Sequence, residues 1–181
     1  MREKIFRRFP VGPVPPPASL GQTPADWKEN MAHEMSFTRL IDAPAETLFR
    51  LWTDPSRMHE WFCPRPWTVT DVRLDVRAGG GCTMTMVGPE GERLPNPGQY
   101  LAIIPNRRIV FSDAFTGDWK TKDGAPFFVG IVEFEPEGGK TRYTCTVRHW
   151  NEADMKKHEE MGFYTGWGIV ADQLEALAKT I

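Results

Sequence analysis

The sequence predicts an α+β fold, a curved antiparallel sheet of about six or seven strands wrapped on a long C-terminal helix, with two short helices after the first strand. Three observations carry this. From Glu152 to Ile181, the residues Met155, Phe163, Trp167, Val170, Leu174, Leu177 and Ile181 recur at helical spacing. From Thr141 to His149, Tyr143, Cys145, Val147 and His149 share one face while Arg142, Thr144, Thr146 and Arg148 share the other, the pattern of a strand with one buried side. Upstream, strand-like runs follow one another through short Gly- and Pro-rich links, which favours an antiparallel meander over a doubly wound sheet.

The elements follow in order. A first strand is expected over Met35 to Ile41, where Phe37 and Ile41 alternate with polar neighbours. A helix should follow, with Pro44 at its first position, Glu46 near its positive end, and Leu48, Leu51 and Trp52 as its apolar stripe until Asp54-Pro55. Ser56 is expected to cap a second, shorter helix carrying Met58, Trp61 and Phe62 and ending at Cys63-Pro64. Strands are then expected over 67–76, 82–87, 99–104, 108–115, 127–135 and 141–149, broken by turn signals of which the glycine run 79–81 is one. That run lacks the Lys-Ser/Thr of a phosphate loop and reads as a hairpin turn. On the last helix Gly162 and Gly166 project no side chain, so a gap is expected between helix and sheet.

With 181 residues, 40% hydrophobic and 25% charged, the chain suits one domain plus an extension. Residues 1–34 read as a proline-rich arm, with six prolines between positions 10 and 24, and residues 35–181 as the folded domain. Ile5, Phe6, Phe9 and Trp27 are the arm's candidates for docking on its own domain or on a second copy in a homodimer. The net charge of −2 and the dispersal of 22 Lys and Arg among 24 acids speak against nucleic acid as a partner. No stretch approaches the ~20 apolar residues of a membrane span. Three cysteines without a CxxC pair suggest a reducing, cytoplasmic setting.

Four segments in order resemble one family: FTRLIDAPAETLFRLWTDP at 37–55, MHEWFCP at 58–64, DVRAGGG at 75–81 and MGFYTGWGIVADQLEALA at 161–178. Together they look like the activators of heat-shock-protein-90 ATPase and their homologues, within the START and birch-pollen-allergen (SRPBCC) superfamily, over roughly residues 35–180. The resemblance implies a stand-alone domain of bacterial type with a helix-grip fold and an apolar cavity. Members of the superfamily bind lipids, hormones or polyketides, and some act as cyclases or hydrolases. Eukaryotic chaperone activators also have a separate N-terminal domain, for which residues 1–34 are too short.

Large and soft residues on inward strand faces are the candidate cavity wall. The candidate ligand-binding set is Met84, Met86, Phe111, Trp119, Phe128, Tyr143, Cys145, His149, Phe163 and Trp167. His149 stands out because it shares an apolar face and can titrate near neutrality. Cys145 and His149, four residues apart on one strand, would be ~13 Å apart, too far for a nucleophile and its base. His59 and Cys63 are two ligands at most, so no metal is expected, and no cofactor signature is present. The loop between Phe115 and Phe128 has the composition of a lid over a cavity mouth. A binding domain for a hydrophobic small molecule, without catalysis, is the preferred reading. A cavity enzyme of cyclase or hydrolase type and a protein-interaction or co-chaperone-like module are the alternatives.

Overall fold

The computed structural model describes residues 33–181. The arm expected over residues 1–34 therefore lies outside the described residues except for its last two. Glu34 already opens the first strand, β1 (Glu34–Ile41).

The sheet has seven strands, all neighbours antiparallel, in the order β1-β7-β6-β5-β4-β3-β2. The other strands are β2 (Thr68–Leu74), β3 (Gly81–Val87), β4 (Arg93–Ile104), β5 (Arg108–Ser112), β6 (Phe128–Glu137) and β7 (Lys140–His149). Only β1 leaves the sequential meander, pairing with the last strand through Met35–Val147 and Phe37–Cys145. On β7 Tyr143, Cys145, Val147 and His149 are all buried and Arg142 and Arg148 are exposed, but Thr146 on the opposite face is also buried, its hydroxyl 2.9 Å from that of Ser36. The strand is unbroken from Lys140 to His149, which keeps Cys145 and His149 apart.

Helix α1 (Ala45–Thr53) buries Ala45, Leu48, Leu51 and Trp52. Pro44 does not occupy its first helical position. Its φ of −64° suits a helix but its ψ of 147° is extended, so it stands just outside and its carbonyl accepts from Thr47 and Leu48. The second short helix shrinks to one 3₁₀ turn, Met58–Glu60, and Ser56 does not cap it. Ser56 instead donates both its amide and its hydroxyl to Asp54 Oδ1, at 2.9 and 2.6 Å.

Strand β4 begins six residues before the expected start, at Arg93, despite Pro95 and Pro97. Residues 93–98 pair with β3 alone, so the prolines remove no bond from a second neighbour. Strand β5 stops at Ser112, because the Ser112 hydroxyl accepts the Ala114 amide at 3.1 Å and turns the chain.

The expected long C-terminal helix is two helices, α2 (Glu152–Glu160) and α3 (Phe163–Ala178). Gly162 between them has φ +91°, in the left-handed region that a side chain disfavours, so the helical ladder cannot run through it. The break separates two characters: α2 buries no residue, whereas α3 buries Phe163, Val170, Ala171, Leu174 and Ala178. Helix α3 packs on α1 and β1, and α1 on β6. The core between them holds Trp52, Trp61, Tyr100, Ile109, Phe134, Tyr143 and Leu174, and a smaller cluster of Met35, Val147 and Phe163 fills the α2 end. No helix among the described residues is long and apolar enough to cross a membrane.

Candidate functional site

Between α3 and the sheet lies an open-mouthed cavity of about 410 Å³. Phe62, Cys63, Pro64 and Trp67 line one side, Met86, Leu94, Pro95, Asn96 and Phe111 the sheet side, and Phe127 and Phe128 one end. The helices contribute His158, Met161, Phe163, Gly166, Trp167 and Val170. No Lys, Arg, Asp or Glu is among these residues.

Each wall has a visible support. Gln173 on α3 donates from Nε2 to the carbonyls of Trp61 and Cys63, both at 2.8 Å, which ties the 62–64 segment to the helix opposite. Phe111 lies over Gly130 across the β5–β6 ladder, so close that a Cβ there would sit 2.5 Å from the ring. Asp113 accepts the amides of Phe127 and Phe128, at 2.9 and 3.1 Å, and the Lys122 ammonium at 3.0 Å. Its carboxylate thereby pins the end of the 113–127 loop that carries Phe127 into the cavity wall. Gly166 presents no side chain, and a Cβ there would meet only Pro64 Cγ at 3.9 Å.

A pair of imidazoles marks the α2 end. His149 Nε2 and His158 Nδ1 are 3.0 Å apart, and of the two rings only His158 lines the cavity. Burial, and secondarily the neighbouring His149, push His158 down to about 4, and burial lowers His149 as well. At neutral pH both rings are therefore uncharged. Burial also pushes the Cys63 thiol up to about 11 and Cys82 to about 12, and raises Cys145 further, so the sulfurs are thiols and not activated thiolates. Among the described residues no three His, Cys, Asp or Glu come together as metal ligands.

Of the ten residues singled out from sequence, Met86, Phe111, Phe128, Phe163 and Trp167 line the cavity and five do not. Tyr143 and Cys145 are closed into the core at 0% and 1% exposure. Met84 packs against that core from the sheet. His149 sits behind His158. Trp119 is 55% exposed, with its ring beside Gly79 and Phe115, away from the lining residues, so of the expected lid only the Phe127 end reaches the cavity. His59 and Cys63 fall in different depressions.

The lining also includes Phe62, Trp67, Asn96 and His158, which the inward strand faces do not single out, and Phe127 from the expected lid. His158 lies on α2 and not on a strand, and it reaches the wall because the break at Gly162 lets α2 turn toward β7. Asn96 lies in a stretch whose prolines conceal a strand.

Residues 42–179 match the family model described as Activator of Hsp90 ATPase homolog 1-like protein. The chain belongs to that family. Its fold is the helix grip of its structural neighbours. This Activator of Hsp90 ATPase homolog 1-like chain is similar to a protein from Nitrosomonas europaea, known by crystallography, at 33% identity and a TM-score of 0.78, covering 81% of this chain and 94% of the other. A solution structure from Arthrobacter aurescens shares 26% identity with a TM-score of 0.71, covering 83% and 88%. An AHSA1-like protein from Aeromonas hydrophila, 20% identical over 80% of this chain and 93% of the other, has the same fold at a TM-score of 0.64. None of the curated proteins matches the chain by sequence.

Proposed function

We propose that this domain binds an uncharged apolar or aromatic small molecule in the cavity between α3 and the sheet. The observation that supports this is the wall itself: an open-mouthed space of about 410 Å³ lined by aromatic rings, methionines and prolines, with no formally charged side chain. An aromatic ligand burying ~200 Å² there gains about 5 kcal/mol from apolar burial at ~25 cal/mol per Å², against which stands the loss of its translational and rotational freedom. General acid–base or thiolate catalysis would need a group ready to exchange a proton near neutrality, or an ionised sulfur. The low pKa of His158 and the high pKa of Cys63 favour binding over catalysis at this wall.

Calorimetric titration of the full chain with 2-naphthol tests the reading, with Gly166→Leu as the control. The space around Gly166 admits a Cβ without clash, so the leucine extends into the cavity. One-to-one binding should weaken at least ~10-fold in the variant while its Tm is kept. Absence of binding to the parent chain, or equal loss of binding and stability in the variant, would contradict it.

A further inference from the structure

Resting on that binding reading, we infer that the ligand carries an uncharged hydrogen-bond acceptor and that His158 is the side chain that donates a hydrogen bond to it from Nε2, with His149 as the positioning residue behind it. The assignment follows from counting donors and acceptors around the two rings.

His158 enters the cavity wall with its ring held on several sides. It meets His149 and Phe163 edge to face, at centroid distances of 5.2 and 5.3 Å, and lies tilted against Phe127 and Phe128 at 5.3 and 5.7 Å. Its Nδ1 is taken by His149 Nε2 at 3.0 Å. What remains for a ligand is Nε2.

A hydrogen bond between two neutral imidazoles needs one N–H and one lone pair, so the tautomer of one ring dictates that of the other. If His158 donated from Nδ1, His149 would carry its proton on Nδ1. That atom is buried and has no hydrogen-bond partner among the described residues. The His33 carbonyl is near enough to favour a charged His149 ring, but it accepts the His149 backbone amide at 2.9 Å and makes no hydrogen bond of ordinary geometry with Nδ1. An orphaned buried N–H is costlier than an idle lone pair. The favoured arrangement has His149 Nε2–H donating to His158 Nδ1, which leaves His158 with its proton on Nε2 as the ring's free donor in the cavity wall.

The partner is thus an uncharged acceptor, such as the oxygen of a hydroxyl, ether or ketone or an aromatic ring nitrogen. A carboxylate is disfavoured, because no cation lines the cavity to meet it. Asn96, Trp67 and Trp167 are the other lining residues with side-chain N–H donors, and all three are kept in His158→Phe, so a preference for 2-naphthol that survives that variant would belong to them.

Calorimetry on the full chain with naphthalene, 2-naphthol and 2-naphthoate separates the terms. The parent protein should bind 2-naphthol about tenfold more tightly than naphthalene, and 2-naphthoate more weakly than either. His158→Phe keeps an aromatic ring in the wall, so naphthalene affinity should persist while the preference for 2-naphthol disappears. His149→Leu should also keep naphthalene and lower the preference. In the unmutated chain, the ¹⁵N resonance of His158 Nε2 should move with 2-naphthol and stay with naphthalene. Equal affinities for the two probes, a preference that survives in either variant, or an unmoved Nε2 resonance would overturn the assignment while leaving the cavity reading intact. Failure of every probe to bind would sink both.

Discussion

Trp52 of α1 and Trp167 of α3 lie with ring planes 7° apart and centroids 6.1 Å apart, one ring in the core and the other in the cavity wall. Trp52 also touches Trp61, Phe62 and Phe111, so the surface a ligand would meet is the outer layer of the core itself. Enlarging the cavity at Trp167 therefore uncovers the core. Trp167→Ala should cost about 2–4 kcal/mol in urea unfolding, since the ring is large and partly buried. A loss under ~0.5 kcal/mol would show that the stack contributes little.

The break at Gly162 orients His158. Gly162→Ala places a Cβ at φ +91°, which should destabilise by about 1–2 kcal/mol although nothing crowds the position. Because the strain falls on the α2–α3 junction, the discriminating observation is loss of the His149–His158 contact in ¹⁵N spectra. An unchanged unfolding curve would mean that α2 and α3 tolerate a continuous helix.

Asp113 holds two backbone amides and one ammonium while only 12% of its side chain is exposed. Asp113→Ala should leave the Phe127 and Phe128 amides exchanging faster with solvent, and cost about 1–3 kcal/mol. Probe dissociation should quicken with it, because Phe127 closes one end of the cavity. Retained amide protection would assign the loop's order to other contacts.

Lowering the pH should weaken the fold through the imidazole pair. Both rings titrate below the ordinary 6.5 because of burial, His158 near 4. Between those values the unfolded chain binds protons that the folded chain does not, so stability rises with pH across the interval. It is fully present above about 6.5 and is lost as the pH falls toward 4. Tm measured from pH 7.5 to 4.5 should fall, and fall less steeply in His158→Phe. Parallel profiles would mean that His158 is not held neutral by the fold.

Much of the fold was legible because it rests on local periodicity. The run Tyr143, Cys145 and Val147 on β7 and the stripe Val170, Leu174 and Leu177 on α3 are each set by one buried face. The misses arose where a local signal has two structural outcomes. Gly162 was visible as a residue without a side chain, but spacing alone cannot show that it turns the chain left-handed. Pro95 and Pro97 argue against a strand unless one side of it is unpaired, which is a property of the neighbour β5. Cavity residues were harder still. Tyr143 and Phe111 look alike as inward aromatic residues, yet Tyr143 is closed in at 0% exposure and Phe111 faces the opening, a difference set by whether a ring or empty space lies opposite.

The most direct measurement is of intermolecular nuclear Overhauser effects between bound 2-naphthol and side-chain methyls of the full chain. Met86 and Val170 line the proposed cavity, while Val69 and Val72 line a separate depression beside His59. Contacts to Met86 and Val170, with none to Val69 or Val72, are expected. Contacts confined to Val69 and Val72, or no contacts under saturating probe, would contradict a ligand site between α3 and the sheet.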